Sequence, residues 1–346
     1  MRGLLAYSGL ATKIRAMSAK LLTEKDFEEL VNCPDVPAAF RFLRQTPAYA
    51  VALSEMPESD PHREQMEALI ETSIYRDFAK IYNFAEPEQE KFLKKYARRY
   101  EIKVLKKCLR LAYVGQKPGT EVFRNPAFFV KFTALDPEKL AAADSIPAVV
   151  EALRGTGYYE PLHRLEGLTD LELFDYEAIL DSYHFQDIWR DKGRIVSKDG
   201  VETLTRNYGT RVDMLNLWYI RRARIWYHLS EAETYKIIFP VHYHLRKEEV
   251  AALIAAETEE QFAAELAKTR YARNYPELAP DNLEDMYVQI MNKVVRAEAR
   301  KKPYSVAALF DYLYRKEHQD YRVICAIECI RYGIRGEEAL RSISVL

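Results

Sequence analysis

The side chains best suited to chemistry in this 346-residue chain are scattered rather than grouped. The one local histidine cluster is His242-Tyr-His244, which lacks a nearby third ligand at the spacing of a zinc site. Neither GxGxxG nor GxxxxGK[ST], the two common glycine-rich phosphate cradles, occurs. HExxH and the nucleophile elbow are also absent from the sequence. We therefore predict no catalytic residue, no cofactor-binding residue and no metal site.

A basic stripe is the most prominent local charge pattern. In KKYARRYEIKVLKKCLR, cationic residues follow one another three or four positions apart, as on one face of a helix. They are Lys95, Arg99, Lys103, Lys106 and Arg110. Tyr96 and Tyr100 are interleaved with them, and aromatic residues beside cations are typical of surfaces that bind single-stranded nucleic acid. The same pattern also fits a solvated helix face or a patch for an acidic protein partner.

Arginines recur near the C-terminal ends of three predicted long helices. They are Arg110, Arg222 with Arg224, and Arg331. Cations at this end of a helix complement its dipole. Arg222 also stands near Trp218 and Trp226, and arginine and tryptophan are among the residues found most often as interface anchors. We predict these four arginines as partner-binding residues.

Composition narrows the class of protein. Apolar and aromatic residues make up 48% of the chain and charged residues 30%, a balance typical of a folded globular protein rather than a disordered one. Lys and Arg number 51 against 52 Asp and Glu, so no overall field attracts nucleic acid or anionic lipid. Four cysteines without a CxxC pair favour a reduced, cytosolic setting. No run of 18 apolar residues is present to span a bilayer.

One short sequence motif occurs three times, and we call each copy a phrase. The copies are LRQTPAY at 43–49, LRGTGYY at 153–159 and LAKTRYA at 266–272. Eight residues before each leucine stands a good helix N-cap, namely Asp35, Ser145 or Thr258. Apolar residues recur at helical spacing between cap and threonine, so each phrase is predicted to end a short amphipathic helix. A second short helical pattern precedes each copy, which predicts a helical hairpin.

A long helix recurs downstream of each phrase. Each carries an acid with an apolar residue four positions later, and the acids are Glu101, Asp213 and Asp320. The separations from phrase leucine to acid are 58, 60 and 54 residues, which are too similar to be accidental. Other long helices are predicted at 62–83 and 282–301. A loop or small hairpin is predicted at 192–204, and the clearest linker at 114–129.

These patterns predict an all-α protein built from three similar units. The predicted domains are 1–125, 126–236 and 237–346, each one helical repeat unit. Similar units in one chain tend to pack around a shared pseudo-threefold axis. We therefore expect a pseudo-threefold arrangement with a central hole or funnel.

The chain resembles the family of V/A-type rotary ATPase C subunits, whose members in the eukaryotic vacuolar enzymes are called the d subunit. The segment ATKIRAMSAKLLTEKDFEELVNCPDVPAAFRFLRQTPAY at 11–49 looks like the N-terminal block of that family. The long helices are similar to its recurrent D-x-x-N-L pattern. Asp213 and Asn216 keep this pattern in full, whereas Val104 and Val323 stand at the asparagine position in the other two copies. The resemblance covers essentially the whole chain.

The resemblance implies a non-catalytic central-rotor subunit that forms an all-helical funnel. Such a subunit is a socket that couples the central shaft to the membrane rotor ring, so that ATP hydrolysis or synthesis is linked to proton or sodium transport. The implied partners are shaft subunits of the D and F type and the rotor ring, without nucleic acid and without direct membrane insertion. The implied location is the cytoplasmic face of the membrane, peripheral and held through the ring.

Two other hypotheses follow from the residues alone. A helical adaptor that binds nucleic acid through basic helix faces predicts binding that weakens steeply with salt. A helical enzyme with a cryptic site predicts one buried pocket that contains titratable groups with perturbed pKa values.

Overall fold

The computed structural model describes residues 2–54, 63–123, 125–166 and 172–344. It is 75% helical, and no strand occurs among these residues, which confirms the predicted all-α class. The helices in the first part of the chain are α1 (Arg2–Ser18), α2 (Glu24–Val31), α3 (Val36–Gln45), α4 (Arg63–Tyr82), α5 (Pro87–Tyr113), α6 (Pro126–Phe132), α7 (Pro137–Ala142), α8 (Ile146–Ala152) and α9 (Tyr159–His163). Those in the second part are α10 (Leu173–Ile195), α11 (Lys198–Arg221), α12 (Glu231–Ile237), α13 (Lys247–Ala255), α14 (Glu259–Lys268), α15 (Arg270–Asn274), α16 (Leu283–Lys301), α17 (Val306–Arg331) and α18 (Gly336–Ser344).

The three repeated hairpins form where the N-caps predict them, as α2–α3, α7–α8 and α13–α14. Asp35 begins α3, and its carboxylate accepts a hydrogen bond of 2.7 Å from the N–H of Ala38. Thr258 begins α14, and its hydroxyl accepts one of 3.3 Å from the N–H of Gln261. Ser145 is the N-cap of α8 without a side-chain hydrogen bond. Asp35 and Thr258 thus each bind a free N–H of the first helical turn, whereas Ser145 only occupies the capping position. In each copy the cap marks where the helix begins.

The threonine of each phrase makes the same two hydrogen bonds, as the C-cap of α3 and α14 and in the turn that follows α8. Its N–H and its hydroxyl both donate to the carbonyl of the phrase leucine, and the hydroxyl distance is 2.7 Å in every copy. The pairs are Thr46 with Leu43, Thr156 with Leu153, and Thr269 with Leu266. The shared turn explains why leucine and threonine keep their three-residue spacing, since it sets the direction in which the following tyrosine leaves the helix.

The long helices expected at 62–83 and 282–301 are confirmed as α4 and α16. The loop expected at 192–204 is wrong in extent, because only 196–197, between the end of α10 at Ile195 and the start of α11 at Lys198, are outside a helix. Buried apolar residues, Ile195 and Leu204 among them, outweigh the glycines that suggested a turn. The predicted linker at 114–129 contains a 3₁₀ turn and the first half of α6.

Contacts divide the chain into two compact units. The terminal unit comprises Met1–Pro87 with Asn292–Leu346, and the central unit comprises Glu88–Met291. In the terminal unit, α17 packs against α1, α2, α3, α4 and α18. Its core joins Phe27 and Leu43 of the first hairpin to Val323 of α17. The first copy of the hairpin therefore packs on the long helix of the last copy.

In the central unit, α10 packs against α11, and α11 packs against α13 of the third hairpin. The borders predicted at 125 and 236 separate copies of the sequence and stay a prediction. None of the helices in the described ranges combines the length and the apolar character needed to cross a membrane.

Candidate functional sites: three buried clasps and the predicted arginines

One buried carboxylate on each recurrent long helix binds the tyrosine of a repeated phrase. We call each such pair a clasp, and the clasps are Glu101 with Tyr158, Asp213 with Tyr271, and Asp320 with Tyr49. None of these side chains is more than 6% exposed. In the first two clasps the tyrosine lies 57 and 58 residues after the acid, in the next phrase along the chain. In the third it lies 271 residues before the acid, in the first phrase.

The Asp213 clasp is held by backbone groups. Oδ2 of Asp213 accepts hydrogen bonds from the N–H of His244 at 2.6 Å and of Leu245 at 3.0 Å. Oδ1 accepts one from the N–H of Tyr243 at 3.2 Å, and the Tyr271 hydroxyl donates to Oδ2 at 2.9 Å. The carboxylate thus ties the segment that enters the third hairpin to the tyrosine that leaves it.

Two other residues of α11, Asn216 and Gly209, allow the segment before the third hairpin to lie close to Asp213. The amide of Asn216 pairs with both backbone groups of Phe239, donating to its carbonyl at 3.0 Å and accepting from its N–H at 2.8 Å. Gly209 lies against the ring of Tyr243, where a Cβ would come within 2.5 Å of the ring carbon Cγ. A glycine is required there because any larger residue would push the segment away from the carboxylate.

The Glu101 clasp repeats this arrangement with fewer donors. Oε1 of Glu101 accepts a hydrogen bond of 3.0 Å from the N–H of Ala134, just before the second hairpin. The Tyr158 hydroxyl donates to the other oxygen. Val104, which stands where the second copy has asparagine, is buried and apolar.

The Asp320 clasp divides the same task between two side chains. Oδ1 of Asp320 accepts from the Tyr49 hydroxyl and from Nζ of Lys316, both at 2.6 Å. Gln319 takes the backbone role, because its Oε1 accepts from the N–H of Leu22 at 2.7 Å, just before the first hairpin. Its amide nitrogen also donates to the Tyr49 hydroxyl at 3.0 Å. Lys316 is fully buried and is the one cation paired with a clasp carboxylate in the described chain.

Burial is the largest influence on the pKa of each clasp carboxylate. It raises the pKa of Asp213 to about 6, against four hydrogen bonds that lower it. It raises the pKa of Asp320 to about 6 as well, against the charge of Lys316 and the hydroxyl of Tyr49. The pKa of Glu101 is also raised, chiefly by burial. All three acids are fully engaged and closed to solvent, so they serve to join segments of the chain and are unsuited to proton transfer with a substrate.

The structure brings only two of the four predicted arginines onto one turn, the π-helical turn Arg222–Trp226 after α11. Arg110 lies on α5 and Arg331 at the end of α17. Arg110 makes a two-point ion pair with Glu177, at 2.6 and 3.0 Å. Nε of Arg331 lies 3.5 Å from a carboxylate oxygen of Glu328. All of these arginines have partners in the chain, and their role in partner binding stays a prediction.

The π-helical turn carries an exposed cluster of aromatic rings around Arg222. The guanidinium carbon of Arg222 lies 4.6 Å from the ring centre of Trp218, 5.9 Å from that of Trp226 and 5.6 Å from that of Tyr227. Trp226 is 50% exposed and Tyr227 60% exposed. Arg224 donates to the carbonyl of Leu229, which fixes the end of the turn. Single-turn π-helices are frequent at functional sites, and these residue types are those of interface anchors.

Three cations of the basic stripe on α5, Lys95, Lys106 and Arg110, pair with carboxylates on α10. Lys95 bonds to Asp187 and Asp191, both at 2.7 Å, and Lys106 bonds to Asp181 at 2.6 Å. The interpretation of this stripe as a base-stacking surface is wrong, because Tyr96 and Tyr100 are buried in the core. Sequence reasoning offered an acidic protein partner as one alternative, and the acidic partner found here is another helix of the same chain.

The two histidines of the cluster at 242–244 take part in the entry to the third hairpin. The backbone N–H of His244 donates to Asp213, and Nδ1 of its ring lies 3.1 Å from Nη1 of Arg270. Burial lowers the pKa of both His242 and His244, so both rings are neutral at pH 7. In the part of the chain that the structure describes, no group of three potential ligands surrounds a metal position.

Comparison with known proteins assigns the chain to a family. The sequence profile of the family described as ATP synthase (C/AC39) subunit matches residues 10–341, nearly the whole chain. The chain belongs to this family. It is thereby identified as a subunit of a rotary ATPase, and the C subunit of that complex is structural rather than catalytic. The resemblance inferred from the sequence is confirmed, as is the expectation of a non-catalytic subunit.

Individual relatives align with this chain over most of their length, and each is named as the C subunit of an A-type ATP synthase. The protein of Methanothermobacter thermautotrophicus is 24% identical over 88% of this chain and 79% of its own. That of Methanosarcina mazei is 23% identical over 90% of this chain and 86% of its own. That of Thermococcus kodakarensis is 22% identical over 96% of this chain and 88% of its own.

The clasps were missed by sequence reasoning although their members were visible. The tyrosines and the acids were both recognised as recurrent, but each acid was assigned to the phrase before it. A pairing with the following phrase would have been suggested by the nearly equal separations of 57 and 58 residues. Lys316 and Gln319 gave no such signal, because neither residue recurs in the other copies.

Proposed function

We propose that this chain is the socket that couples the central shaft of its rotary ATPase to the membrane rotor ring. Its partners in this proposal are shaft subunits of the D and F type and the ring. The chain then lies at the cytoplasmic face of the membrane and is held there through the ring. Ion transport by the ring and ATP chemistry elsewhere are linked through the rigidity of this subunit.

The observation that carries the proposal is the order of the clasps. Glu101 binds the tyrosine of the second phrase, Asp213 that of the third, and Asp320 that of the first. Each long helix therefore holds the hairpin of the next copy, and the last holds the hairpin of the first. Three modules placed around a common axis, as in a funnel, account for this circular order, whereas a linear array would leave the first hairpin and the last acid without each other.

Buried polar networks support the mechanical part of the proposal. A coupling must transmit torque without yielding, and a fully satisfied network inside a packed core makes a junction stiff and specific. Every clasp joins a long helix to both ends of a hairpin, since Asp213 binds 243–245 and Tyr271 alike. The exposed cluster around Arg222 supplies the residue types of a shaft contact.

Reconstitution of the complex tests the coupling role. We expect a complex that lacks this subunit to keep ATP hydrolysis by its catalytic part but to lose ATP-driven ion transport into vesicles. Adding back the purified chain restores transport. Full transport without the chain would disprove the proposal.

The shaft contact is tested separately by charge reversal. Arg222→Glu with Arg224→Glu is expected to weaken binding to the purified shaft subcomplex by at least tenfold, as measured by calorimetry. Arg154→Glu with Arg246→Glu is the matched control, because both are exposed arginines that pair with a carboxylate three residues away, Glu151 and Glu249. Unchanged shaft affinity in the double variant at Arg222 and Arg224 would place the contact elsewhere without affecting the coupling test.

A further inference from the structure

A cavity of about 170 Å³ in the terminal unit is lined by an excess of cations. Its walls come from α1, the turn after α3, α4 and α17. The cations that line it are Lys13, Lys20, Arg76, Lys80 and Lys316, and the one carboxylate among its described lining residues is Asp77. We call this cavity the cationic cleft.

Two of these five cations are balanced by carboxylates. Lys316 bonds to the clasp carboxylate of Asp320 at 2.6 Å, behind the floor of the cleft. Lys80 lies 3.1 Å from Oδ1 of Asp77, and Oδ2 of Asp77 accepts from the Tyr312 hydroxyl at 2.6 Å. The acceptor capacity of Asp77 is therefore largely used within the cleft.

The other three cations have no carboxylate partner within the ranges that the structure describes. Nζ of Lys13 lies 4.7 Å from the ring centre of Phe84. Arg76 donates to the carbonyl of Val51, which is a neutral acceptor. Lys20 is exposed to solvent at the rim. Among the described residues, three positive charges thus line one concave site without a carboxylate partner.

A concave site with charges of one sign concentrates the electric field and attracts ions of the opposite sign. Ammonium and guanidinium groups together give charge-assisted hydrogen bonds to phosphate oxygens, with guanidinium able to bind two oxygens at once. A volume of about 170 Å³ is several times the ~30 Å³ that a water molecule occupies in the liquid, so a tetrahedral oxyanion fits.

A second cavity of the same unit, of about 360 Å³, shows the contrasting case. It contains arginines too, but Arg322 makes a two-point ion pair with Glu24 at 2.8 and 2.7 Å. Arg315 pairs with Asp311 at 2.9 Å. Its cations are therefore largely balanced, and the cationic cleft is the better anion site.

We propose that the cationic cleft binds an oxyanion of the phosphate class, either free or as a phospholipid headgroup. The ligand is held by Lys13, Lys20 and Arg76, with Lys80 at the rim. This site is separate from the cluster around Arg222, and its test does not depend on the coupling role of the chain.

Calorimetric titration of the full-length chain with inorganic phosphate and with pyrophosphate tests the site. We expect saturable binding of one ligand per chain, tighter for pyrophosphate, that weakens as salt is raised. Lys13→Gln with Lys20→Gln is expected to weaken it at least tenfold. Lys25→Gln with Lys117→Gln removes the same charge from exposed positions outside the cleft, and it is expected to leave binding unchanged.

A second measurement separates the two sources of phosphate. Phosphatidylcholine vesicles that contain phosphatidic acid are sedimented with the chain and its variants. Vesicle binding that the cleft variant loses and the control variant keeps assigns the site to a lipid headgroup, whereas binding of free pyrophosphate alone assigns it to a soluble ligand. The proposal would be overturned if the chain bound neither free phosphate compounds nor the vesicles, or if both double variants lost binding equally. It would also be overturned if the chain bound polyglutamate but no phosphate compound.

Discussion

The Asp213 clasp of the central unit and the Asp320 clasp of the terminal unit hold the same kind of tyrosine in different electrostatic surroundings. Asp213 is surrounded by neutral donors, with three backbone N–H groups and the Tyr271 hydroxyl. Asp320 receives the charge of Lys316 and leaves the backbone contact to Gln319. In the described chain no cation forms an ion pair with Asp213.

The difference shows which part of the clasp is fixed. Both sites keep an acceptor on the long helix, a tyrosine at the end of a hairpin and a bond to the backbone at the start of the same hairpin. The groups that offset the free-energy cost of burying the carboxylate differ between the two sites, because either aligned N–H groups or a buried ammonium can do so. Geometry is therefore common to the copies, while the balance of charge is particular to each.

The largest effect is expected from removing the carboxylate that has the most backbone donors. Asp213→Ala leaves the N–H groups of 243–245 buried without an acceptor, and we expect it to lower the free energy of unfolding by about 3–5 kcal/mol. Urea unfolding followed by circular dichroism measures the change. Asp144→Ala, at an exposed carboxylate, is the control and is expected to change it by less than about 0.5 kcal/mol. A loss below about 1 kcal/mol for Asp213→Ala would contradict the structural role assigned to it.

The second prediction uses pH to separate the two clasps. Lys316→Met removes the ammonium beside Asp320, and we expect a loss of about 3 kcal/mol at pH 7.5. The pKa of Asp320 is about 6 in the folded protein and 3.8 ordinarily, so protonation favours the folded state. The stability associated with this group is fully present below pH 3.8 and is lost as pH rises through 6.

Without Lys316 the pKa of Asp320 rises further, so the penalty is smaller at pH 5 than at pH 7.5. Unfolding curves at the two pH values measure it. The double variant Lys316→Met with Asp320→Asn is the internal control, and it is expected to recover part of the loss at pH 7.5 because no buried charge remains. The idea fails if the penalty of Lys316→Met is the same at both pH values.

Much of the local structure could be predicted because its causes lie within a few residues. The N-caps Asp35 and Thr258 and the apolar residues at helical spacing fixed the hairpins without reference to the rest of the chain. The all-α class followed from the same repeats, and the family from the resemblance of the segment 11–49 and of the D-x-x-N-L pattern. The segment 192–204 was mispredicted because burial of residues such as Leu204, a tertiary effect, decided its conformation.

The clasps required information that no single segment contains. Asp320 and Tyr49 are separated by 271 residues, so their contact depends on how the whole chain closes in the terminal unit. The stripe on α5 failed as a guide to partners for a similar reason. Its charges are conspicuous in the sequence, but Asp187 and Asp191, which balance Lys95, lie on a distant helix.

The third prediction concerns the position three residues after the clasp acid, which is asparagine in the second copy and valine in the other two. Asn216→Val gives the second copy the residue that stands at 104 and 323. It leaves the buried N–H of Phe239 without its acceptor, while the Phe239 carbonyl keeps the hydrogen bond that it accepts from the N–H of Val241. We expect a loss of about 2 kcal/mol, measured by urea unfolding. Val104→Asn is the converse change, which buries an amide at an apolar position and is expected to destabilise as well. If Asn216→Val were neutral, the asparagine would be dispensable in the Asp213 clasp.

The smallest effects are expected from the tyrosine hydroxyls, and their order tests the comparison directly. Tyr271→Phe leaves Asp213 with three backbone donors, so we expect a loss of about 1 kcal/mol. Tyr49→Phe takes a donor from Asp320 and also leaves the amide of Gln319 without its acceptor, so we expect about 2 kcal/mol. Both changes keep the ring and its packing, and urea unfolding at pH 7.5 compares them. Equal losses, or a larger loss for Tyr271→Phe, would mean that the backbone donors around Asp213 do not compensate its charge in the way the geometry indicates.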